Sequence, residues 1–376
     1  MGEHRELKVI PREVRYNQVR YFYKSKVAYV FAFVLAFIAI VSMSRWMRWA
    51  ALIVVLAGLI PHTMGIVDRC IIMGRPPMTN LYATFLFVAW AGVLLLLVVD
   101  LIQKNSMGLF AASFCGFVML MISDGFGNDG DTMGKMVAVL RSNFWLSTHV
   151  VAITLGYVGC IAAGLIAHMY LFTAAFAPKR TEMLKSIKIA VFAVLGFGLT
   201  LSFLGTMLGG VWADQSWGRF WGWDPKENGA LLIVIWCSIL FHARLGKMIG
   251  DVGFAAGTAL GIIVVMLAWL GVNLLNVGLH SYGFTSGLAG KLYTYIYIQT
   301  GLIAVLAPLA KYRLPKGEAA ALKNSSKPKG EIGPGKAVKG PYKDDGANLI
   351  YQTLFCDRPE LHAPADGEKA EKPWPT

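Results

Sequence analysis

Long apolar runs constrain the fold of this chain more than any other feature of its sequence. Runs long enough to cross a bilayer as a helix, roughly 17–25 residues each, recur along most of the chain. Because a segment in lipid must satisfy its backbone polar groups internally, these runs predict helices rather than loops or open strands. We place them near residues 27–43, 49–66, 80–101, 107–123, 145–176, 188–209, 228–243, 251–276 and 292–310. The sequence therefore predicts an all-α, polytopic integral membrane bundle of about 8–9 transmembrane helices.

The distribution of apolar and charged residues divides the chain into three segments. Residues 1–26 form a basic N-terminal segment that leads straight into the first span, with no cleavable signal peptide before it. Residues 27–310 hold the spans, and residues 210–228 form a Trp-rich loop between two of them. The tail, residues 311–376, is rich in Pro, Gly, Ser and Lys, which predicts a largely disordered segment.

The composition argues against a nucleic-acid partner. Hydrophobic residues make up 56% of the chain and charged residues 15%, and the net charge of +13 is concentrated in the tails and short loops. Basic loops are typical of the cytoplasmic face of an inner membrane, so we expect the loops at 177–188 and 243–250 and the start of the tail to be cytoplasmic. The Trp-rich loop then lies on the external, periplasmic side. The side of the membrane on which the N-terminus lies stays open. Counting spans places it outside, whereas its basic residues favour the cytoplasmic side.

The cysteines carry no metal or redox motif. The five, which are Cys70, Cys115, Cys160, Cys237 and Cys356, form no CxxC pair and no CxxCH. A dithiol oxidoreductase, a zinc module and a c-type cytochrome are therefore disfavoured. Most of the cysteines lie in or beside apolar runs, which indicates buried small side chains.

The Trp-rich loop is too aromatic for a simple linker and too charged to lie in lipid. Its tryptophans are Trp212, Trp217, Trp221 and Trp223. Interfacial belts also collect tryptophan, but usually as scattered residues. The cluster favours a platform for a large flat ligand, with Arg219 or Lys226 near the acidic groups of that ligand. Asp224 could orient a histidine or cap the helix that begins near Pro225.

Five histidines lie in or at the ends of the predicted spans: His62, His149, His168, His242 and His280. An ionisable side chain at membrane depth is costly and marks a functional site by default, although a single histidine can also simply hydrogen-bond a neighbouring helix. His149 and His280 are expected level with the Trp-rich loop. His242 is expected about 14 residues into its span, roughly 21 Å below the loop. Two imidazoles beside an aromatic platform are a recurrent arrangement for axial ligation of haem iron.

The segment Trp217-Gly-x-x-Trp221-x-Trp223-Asp224-Pro225 resembles the tryptophan-rich WWD signature of haem-handling proteins in cytochrome c maturation, in particular the CcsA (ResC) type of System II. Further segments resemble the same family, and together they cover about residues 60–285. They are 62–63, 74–82, 144–150, 242–244 and 271–283. The chain departs from the family pattern at Asn228-Gly229, where an aromatic residue is common.

The resemblance implies a haem-handling subunit that receives haem b in the membrane and presents it externally for thioether attachment to CxxCH apocytochromes. His149 and His280 would be the axial ligands, the Trp-rich loop with Asp224 the platform, and His242 part of an inner site. His62 is a further candidate ligand. The resemblance also implies a ResB-type membrane partner, with which the chain would form a holocytochrome c synthase, and a thioredoxin-like reductant that keeps the apocytochrome thiols reduced.

Three alternatives fit the same residues. A haem transporter or chaperone without ligation activity would carry the same loop and histidines. A b-type electron carrier would hold haem between facing transmembrane histidines at matched depths. A generic transporter would use the tryptophans as an interfacial belt and bind no haem. The sequence shows no nucleophile–base pair, so any catalytic contribution would come from positioning.

Overall fold

The computed structural model describes residues 2–127, 132–134, 142–275, 277 and 288–314, with side chains from residue 9 onward. Over these ranges the chain is helical and contains no strand. Nine of the helices in the described ranges are long and apolar enough to cross a membrane. The prediction of an all-α, polytopic membrane bundle is confirmed, at the upper end of the predicted count.

Eleven helices follow one another in the described chain. They are α1 (Gly2–Val19), α2 (Tyr21–Ser42), α3 (Arg45–Met73), α4 (Leu81–Gln103), α5 (Met107–Gly127), α6 (Asn143–Trp145), α7 (Val151–Phe176), α8 (Thr181–Trp217), α9 (Pro225–Leu245), α10 (Asp251–Trp269) and α11 (Leu288–Arg313). A π-helical turn (Leu146–Val150) joins α6 to α7, and a 3₁₀ turn (Gly271–Leu275) follows α10. The first candidate span begins at Val9, inside the predicted N-terminal segment.

Side-chain caps and left-handed residues set several helix boundaries. Ser44, Asn80 and Ser142 each accept a hydrogen bond from the backbone N–H three residues further on, which starts α3, α4 and α6. Gly74 and Gly218 adopt left-handed conformations at the C-terminal ends of α3 and α8. Glycine takes this conformation without a steric penalty, so both helices end at these residues.

One end of the bundle, here called the Trp end, gathers the end of α3, the start of α7 and the end of α8. The Asn143 side-chain amide donates to the Gly74 carbonyl at 3.5 Å. The Trp145 indole N–H donates to Gln215 at 3.0 Å, two residues before the end of α8. The loop between α8 and α9 therefore lies at the same end as the short helix α6.

The basic N-terminal helix also lies at the Trp end. The Tyr21 hydroxyl donates to Asp68 at 2.8 Å, and Asp68 lies in the last two turns of α3. Arg12 and Arg15 approach the same carboxylate, at 3.5 and 3.6 Å. Asp68 is buried, so a buried negative charge compensates part of the positive charge of this segment.

The opposite end carries ion pairs between other helix termini. Arg48, at the start of α3, pairs with Asp100 near the end of α4 at 2.7 Å. Lys188, in the first turns of α8, pairs with Asp251 at the start of α10 at 3.2 Å. The basic loops at 177–188 and 243–250 therefore lie at one end of the bundle, and the Trp-rich loop lies at the other.

Close packing of small residues joins α7 to α8. A Cβ added to Gly159 would lie 2.5 Å from the Cα of Gly198, and one added to Gly156 would lie 2.6 Å from the backbone nitrogen of Ser202. Small residues permit such backbone contact between membrane helices, where lipid gives no hydrophobic advantage to larger side chains. This contact fixes α7 against α8.

Candidate functional site

His149 lies in the π-helical turn before α7, against the last turns of α8. Its Nδ1 lies 2.8 Å from the Gly205 carbonyl oxygen. Because a carbonyl can only accept, Nδ1 donates the proton, and in the neutral form of the ring the lone pair is on Nε2. An imidazole anchored through one nitrogen in this way is typical of metal-ligating histidines. Gly209 makes room for the ring, since an added Cβ there would lie 2.6 Å from His149 Cε1.

Two tryptophans form a wall beside this imidazole. Trp212 meets the His149 ring edge-to-face at 5.7 Å, and Trp145 stacks on Trp212 with ring centroids 6.3 Å apart. The Trp145 indole N–H donates to Gln215. Trp145 was not among the predicted site residues, although it lies in the segment 144–150 that resembles the family. Gln215 carries no sequence signal of its own.

The non-helical part of the Trp-rich loop is shorter than the predicted 210–228. Helix α8 continues to Trp217 and α9 begins at Pro225, so only residues 218–224 are outside helices. Trp212 and Trp217 therefore lie on α8. The boundaries follow from the left-handed Gly218 at one side and the Asp-Pro start of α9 at the other.

The capping role considered for Asp224 is confirmed. Its carboxylate accepts from the Lys226 backbone N–H at 2.9 Å. Glu227 accepts from the backbone N–H of Asp224 at 3.1 Å and from that of Gly222 at 2.8 Å, which completes a capping box. Glu227 also pairs with Arg219 at 3.2 Å. One glutamate thus fixes both the loop and the helix start, a role that the Asp-x-x-Glu spacing signals but that we did not predict.

The loop presents aromatic rings at the surface. Trp223 is 69% exposed and Phe220 44% exposed, and the Trp221 and Trp223 rings meet edge-to-face at 6.0 Å. Trp223 has a φ of 58°, a left-handed conformation that is unfavourable for a bulky residue. The Asn228 amide donates to the Trp223 carbonyl at 3.0 Å and supports this conformation. Backbone strain of this kind clusters at active sites and ligand clamps.

The two predicted cations make contacts within the protein. The Arg219 guanidinium lies 5.8 Å from the Trp217 ring centroid, in addition to its pair with Glu227. Lys226 donates from Nζ to the Trp269 carbonyl at 2.7 Å and so joins α9 to α10.

The departure from the family pattern at Asn228-Gly229 has a structural explanation. Asn228 supports the Trp223 backbone, as described above. A Cβ at Gly229 would lie 2.9 Å from the Cα of Ala268, so α9 and α10 approach closely there. A large aromatic side chain at position 229 would separate the two helices.

His242 lies far from the loop, near the end of α9 at the opposite end of the bundle. It comes 17 residues after Pro225, a rise of roughly 26 Å. The side chain is exposed on the bundle surface, and Nδ1 lies 2.7 Å from the Ser238 carbonyl. This bond places the proton on Nδ1, as for His149, and the lone pair on Nε2.

His62 is fully buried near the middle of α3. Its Nε2 lies 3.1 Å from the Leu86 carbonyl and its Nδ1 lies 3.1 Å from the Tyr29 hydroxyl. Both ring nitrogens therefore take part in hydrogen bonds that tie α3 to α4 and α2. Iron ligation by His62 would break one of them. His168 also uses both nitrogens, with the Gly164 carbonyl and with Gln299. His280 lies outside the described residues.

Comparison with known proteins gives one family. The chain matches the family described as "Cytochrome C assembly protein" over residues 78–280. It is 33% identical over 242 residues to "Cytochrome c biogenesis protein CcsA" of Guillardia theta, which covers 57% of this chain and 79% of that protein. It is 31% identical over 219 residues to a protein of the same name from Chlamydomonas reinhardtii, covering 56% of this chain and 62% of that protein.

A third relative is "Protein NrfI" of Wolinella succinogenes, 29% identical over 226 residues, or 59% of this chain and 25% of that much longer protein. The region matched by the family includes His149, the Trp-rich loop and His242, and it ends at His280.

Proposed function

Because this chain belongs to the cytochrome c assembly protein family, as a CcsA-type membrane protein of cytochrome c biogenesis, we propose that it binds haem b at the Trp end and presents it to apocytochromes. The observation that carries this proposal is the anchored His149 imidazole. Its Nδ1 donates to the Gly205 carbonyl, and its ring lies against Trp212 on α8, the helix that leads into the loop with the exposed Phe220 and Trp223.

The residues at the Trp end suit a porphyrin. A neutral imidazole with its lone pair on Nε2 is a haem iron ligand, and indole rings suit the flat apolar macrocycle. Trp223 and Phe220 keep much of their ring surface exposed, although exposure to water is unfavourable for such rings. We propose His280 as the second axial ligand, and Trp212, Trp217, Trp221 and Trp223 as the platform.

The contribution of the protein in this proposal is positioning. Haem supplies the vinyl groups that react with the two thiols of a CxxCH motif. The capping box built by Asp224 and Glu227 holds the loop in one shape. The packing of α7 on α8 holds the imidazole against α8, the helix that leads into that loop. A reactant held in one orientation meets a captured peptide in an effectively intramolecular reaction.

His242 is proposed to act earlier, where haem enters from the membrane. Its ring is exposed on the bundle surface with Nδ1 anchored to Ser238, so Nε2 is the basic nitrogen. A ligand at the surface of one subunit suits a site completed at the interface with the ResB-type partner. His62 is a weaker candidate, because both of its nitrogens are already hydrogen-bonded.

We propose that the Trp end faces the periplasm. The basic loops at 177–188 and 243–250 lie at the opposite end and are rich in Lys and Arg, as cytoplasmic loops are. The N-terminal helix, although basic, lies at the Trp end, where Asp68 compensates Arg12 and Arg15. A thioredoxin-like reductant would act on the apocytochrome thiols at this face.

Covalent product formation tests the proposal. The full chain is co-expressed with its ResB-type partner and a CxxCH apocytochrome, and haem that survives denaturing electrophoresis is measured. His149→Ala and the double variant Trp221→Ala/Trp223→Ala are expected to lose most of the product. The matched control is Trp46→Ala/Trp49→Ala, two exposed tryptophans at the opposite end, and it should retain the product. Equal losses in both double variants would refute a specific role for the loop.

A further inference from the structure

A large cavity lies within the bundle, apart from the Trp-rich loop. It has a volume of about 830 Å³ and is bounded by α2, α4, α5, α7, α10 and α11. Neither His149 nor any residue of 218–224 lines it. Cavities of this size hold small organic ligands. A ligand in this cavity would therefore be separate from the haem of the proposed presentation site.

The wall is apolar, aromatic and open to lipid. Six phenylalanines and four methionines line it together with leucine, isoleucine and valine, and Phe85, Phe110 and Met266 are among them. Phe114 and Phe172, which also line the cavity, are 39% and 43% exposed on the outer surface of the bundle. In a membrane protein this surface faces the acyl chains, so a lipophilic molecule can enter from the bilayer.

Helix α11 contributes a polar stripe to this apolar wall. Lys291, Tyr295 and Gln299 all line the cavity, and their spacing of four residues puts them on one face of the helix. The Tyr295 hydroxyl is buried and has no hydrogen-bond partner among the described residues. An enclosed hydroxyl is unfavourable unless something satisfies it, so this group indicates a ligand that can hydrogen-bond.

Gln299 and His168 hold each other in one orientation. The Gln299 amide nitrogen lies 3.0 Å from His168 Nε2 and 3.0 Å from the Ala259 carbonyl, so both of its hydrogens are used. His168 Nδ1 lies 2.7 Å from the Gly164 carbonyl. The amide oxygen of Gln299 receives no hydrogen bond from the described residues. The cavity wall thus offers a hydroxyl donor at Tyr295 and a carbonyl acceptor four residues away.

We propose that this cavity binds the head group of an isoprenoid quinone or quinol. A quinone has a flat conjugated ring that packs on phenylalanine and methionine, ring oxygens that accept from Tyr295, and an apolar tail that extends into lipid. In the quinol form, a ring hydroxyl can donate to the Gln299 oxygen. An acyl chain would leave the Tyr295 hydroxyl unsatisfied. Haem would need a lone pair on His168, whose nitrogens are both hydrogen-bonded.

Binding is tested on the full chain, purified with its partner subunit and reconstituted in nanodiscs. Organic extracts of the purified protein are examined by mass spectrometry for bound quinone. Titration with a short-chain quinone analogue, followed by quenching of tryptophan fluorescence, should saturate. Tyr295→Phe removes only the hydroxyl and is expected to weaken binding about threefold to tenfold, as the loss of one hydrogen bond does. Met169→Trp, which fills the cavity, should abolish binding.

Tyr293→Phe is the matched control, since Tyr293 lies on the same helix but is 55% exposed and does not line the cavity. It should bind quinone as the wild type does. Extracts that contain only phospholipid, with no saturable quenching, would overturn the proposal. So would quinone binding that is unchanged in Tyr295→Phe and Met169→Trp, or haem that is lost from the protein on His168→Ala. The quinone measurements do not depend on haem binding at the Trp end.

Discussion

At the scale of single residues, the hydrogen bond between His149 and the Gly205 carbonyl determines which ring nitrogen can meet a ligand. The bond depends on space at Gly209, where an added Cβ would lie 2.6 Å from the imidazole. His149 and the four tryptophans were recognisable from the sequence because an ionisable group at membrane depth is costly and because a tight tryptophan cluster differs from the scattered residues of an interfacial belt. The Gly205 carbonyl and Gln215 were not, because backbone acceptors and single amides leave no pattern.

Gly209→Ala is expected to displace the His149 ring and break its bond to Gly205. We predict a weakened or shifted Soret band in the purified protein, with little change in its amount. Gly196→Ala is the matched control on the same helix, because a Cβ there meets only the Phe241 ring at 3.7 Å. A haem spectrum that is unchanged in Gly209→Ala would contradict the placement of the haem-binding nitrogen beside α8.

Two substitutions of Asp224 distinguish its capping role from a direct contact with haem. Asp224→Asn keeps a side-chain oxygen for the cap, whereas Asp224→Ala removes it at a cost of about 0.5–2 kcal/mol in stability. If capping is the main role, haem binding measured by absorbance stays near wild type in Asp224→Asn and falls in Asp224→Ala. Equal loss in both variants would show that the carboxylate charge itself is required.

At the scale of helices, the α7–α8 contact connects the two parts of the site. Gly159 and Gly198 meet backbone to backbone, so neither tolerates a side chain without separation of the helices. The long spans and their order were predictable, because length and apolarity are properties of the sequence alone. The extension of α8 to Trp217 was not predicted, because the apolar run ends before the helix does and the left-handed Gly218 sets the boundary.

Gly159→Ala is expected to destabilise the bundle by about 1–3 kcal/mol, as other overpacking substitutions do. The measurement is the thermal unfolding midpoint in detergent. The midpoint of Gly159→Ala should be lower than those of the wild type and of Gly196→Ala. Haem bound at the Trp end should fall in parallel, since the same contact orients His149. A midpoint equal to that of the control would mean that α7 and α8 are less closely packed than described.

At the scale of the whole molecule, polar contacts between helix ends define two opposite faces of the bundle. The N-terminal helix and the Trp-rich loop share one face, and the basic loops share the other. The charge pattern predicted that the basic loops share one side of the membrane, but it left open on which side the N-terminus lies. The compensating partner, Asp68, lies in an apolar span and only its contact with Arg12 and Arg15 reveals its role.

Single cysteines labelled with a membrane-impermeant maleimide test this topology. In a Cys70→Ser/Cys356→Ser background, where Cys115, Cys160 and Cys237 are buried, Glu13→Cys and Ser216→Cys should react from the same side of the membrane. Met248→Cys, in the exposed turn after α9, should react only from the other side. Labelling of positions 13 and 248 from one side would contradict the arrangement of nine crossings.

The visible spectrum of the purified full chain with its partner subunit tests the central claim most directly. We predict a Soret band and a sharp reduced α-band in the wild type. Both should be weakened or shifted in His149→Ala, His280→Ala and Trp221→Ala/Trp223→Ala, and retained in Trp46→Ala/Trp49→Ala. Colourless wild-type protein from haem-replete cells, or spectra that the histidine variants leave unchanged, would contradict haem presentation between His149 and His280.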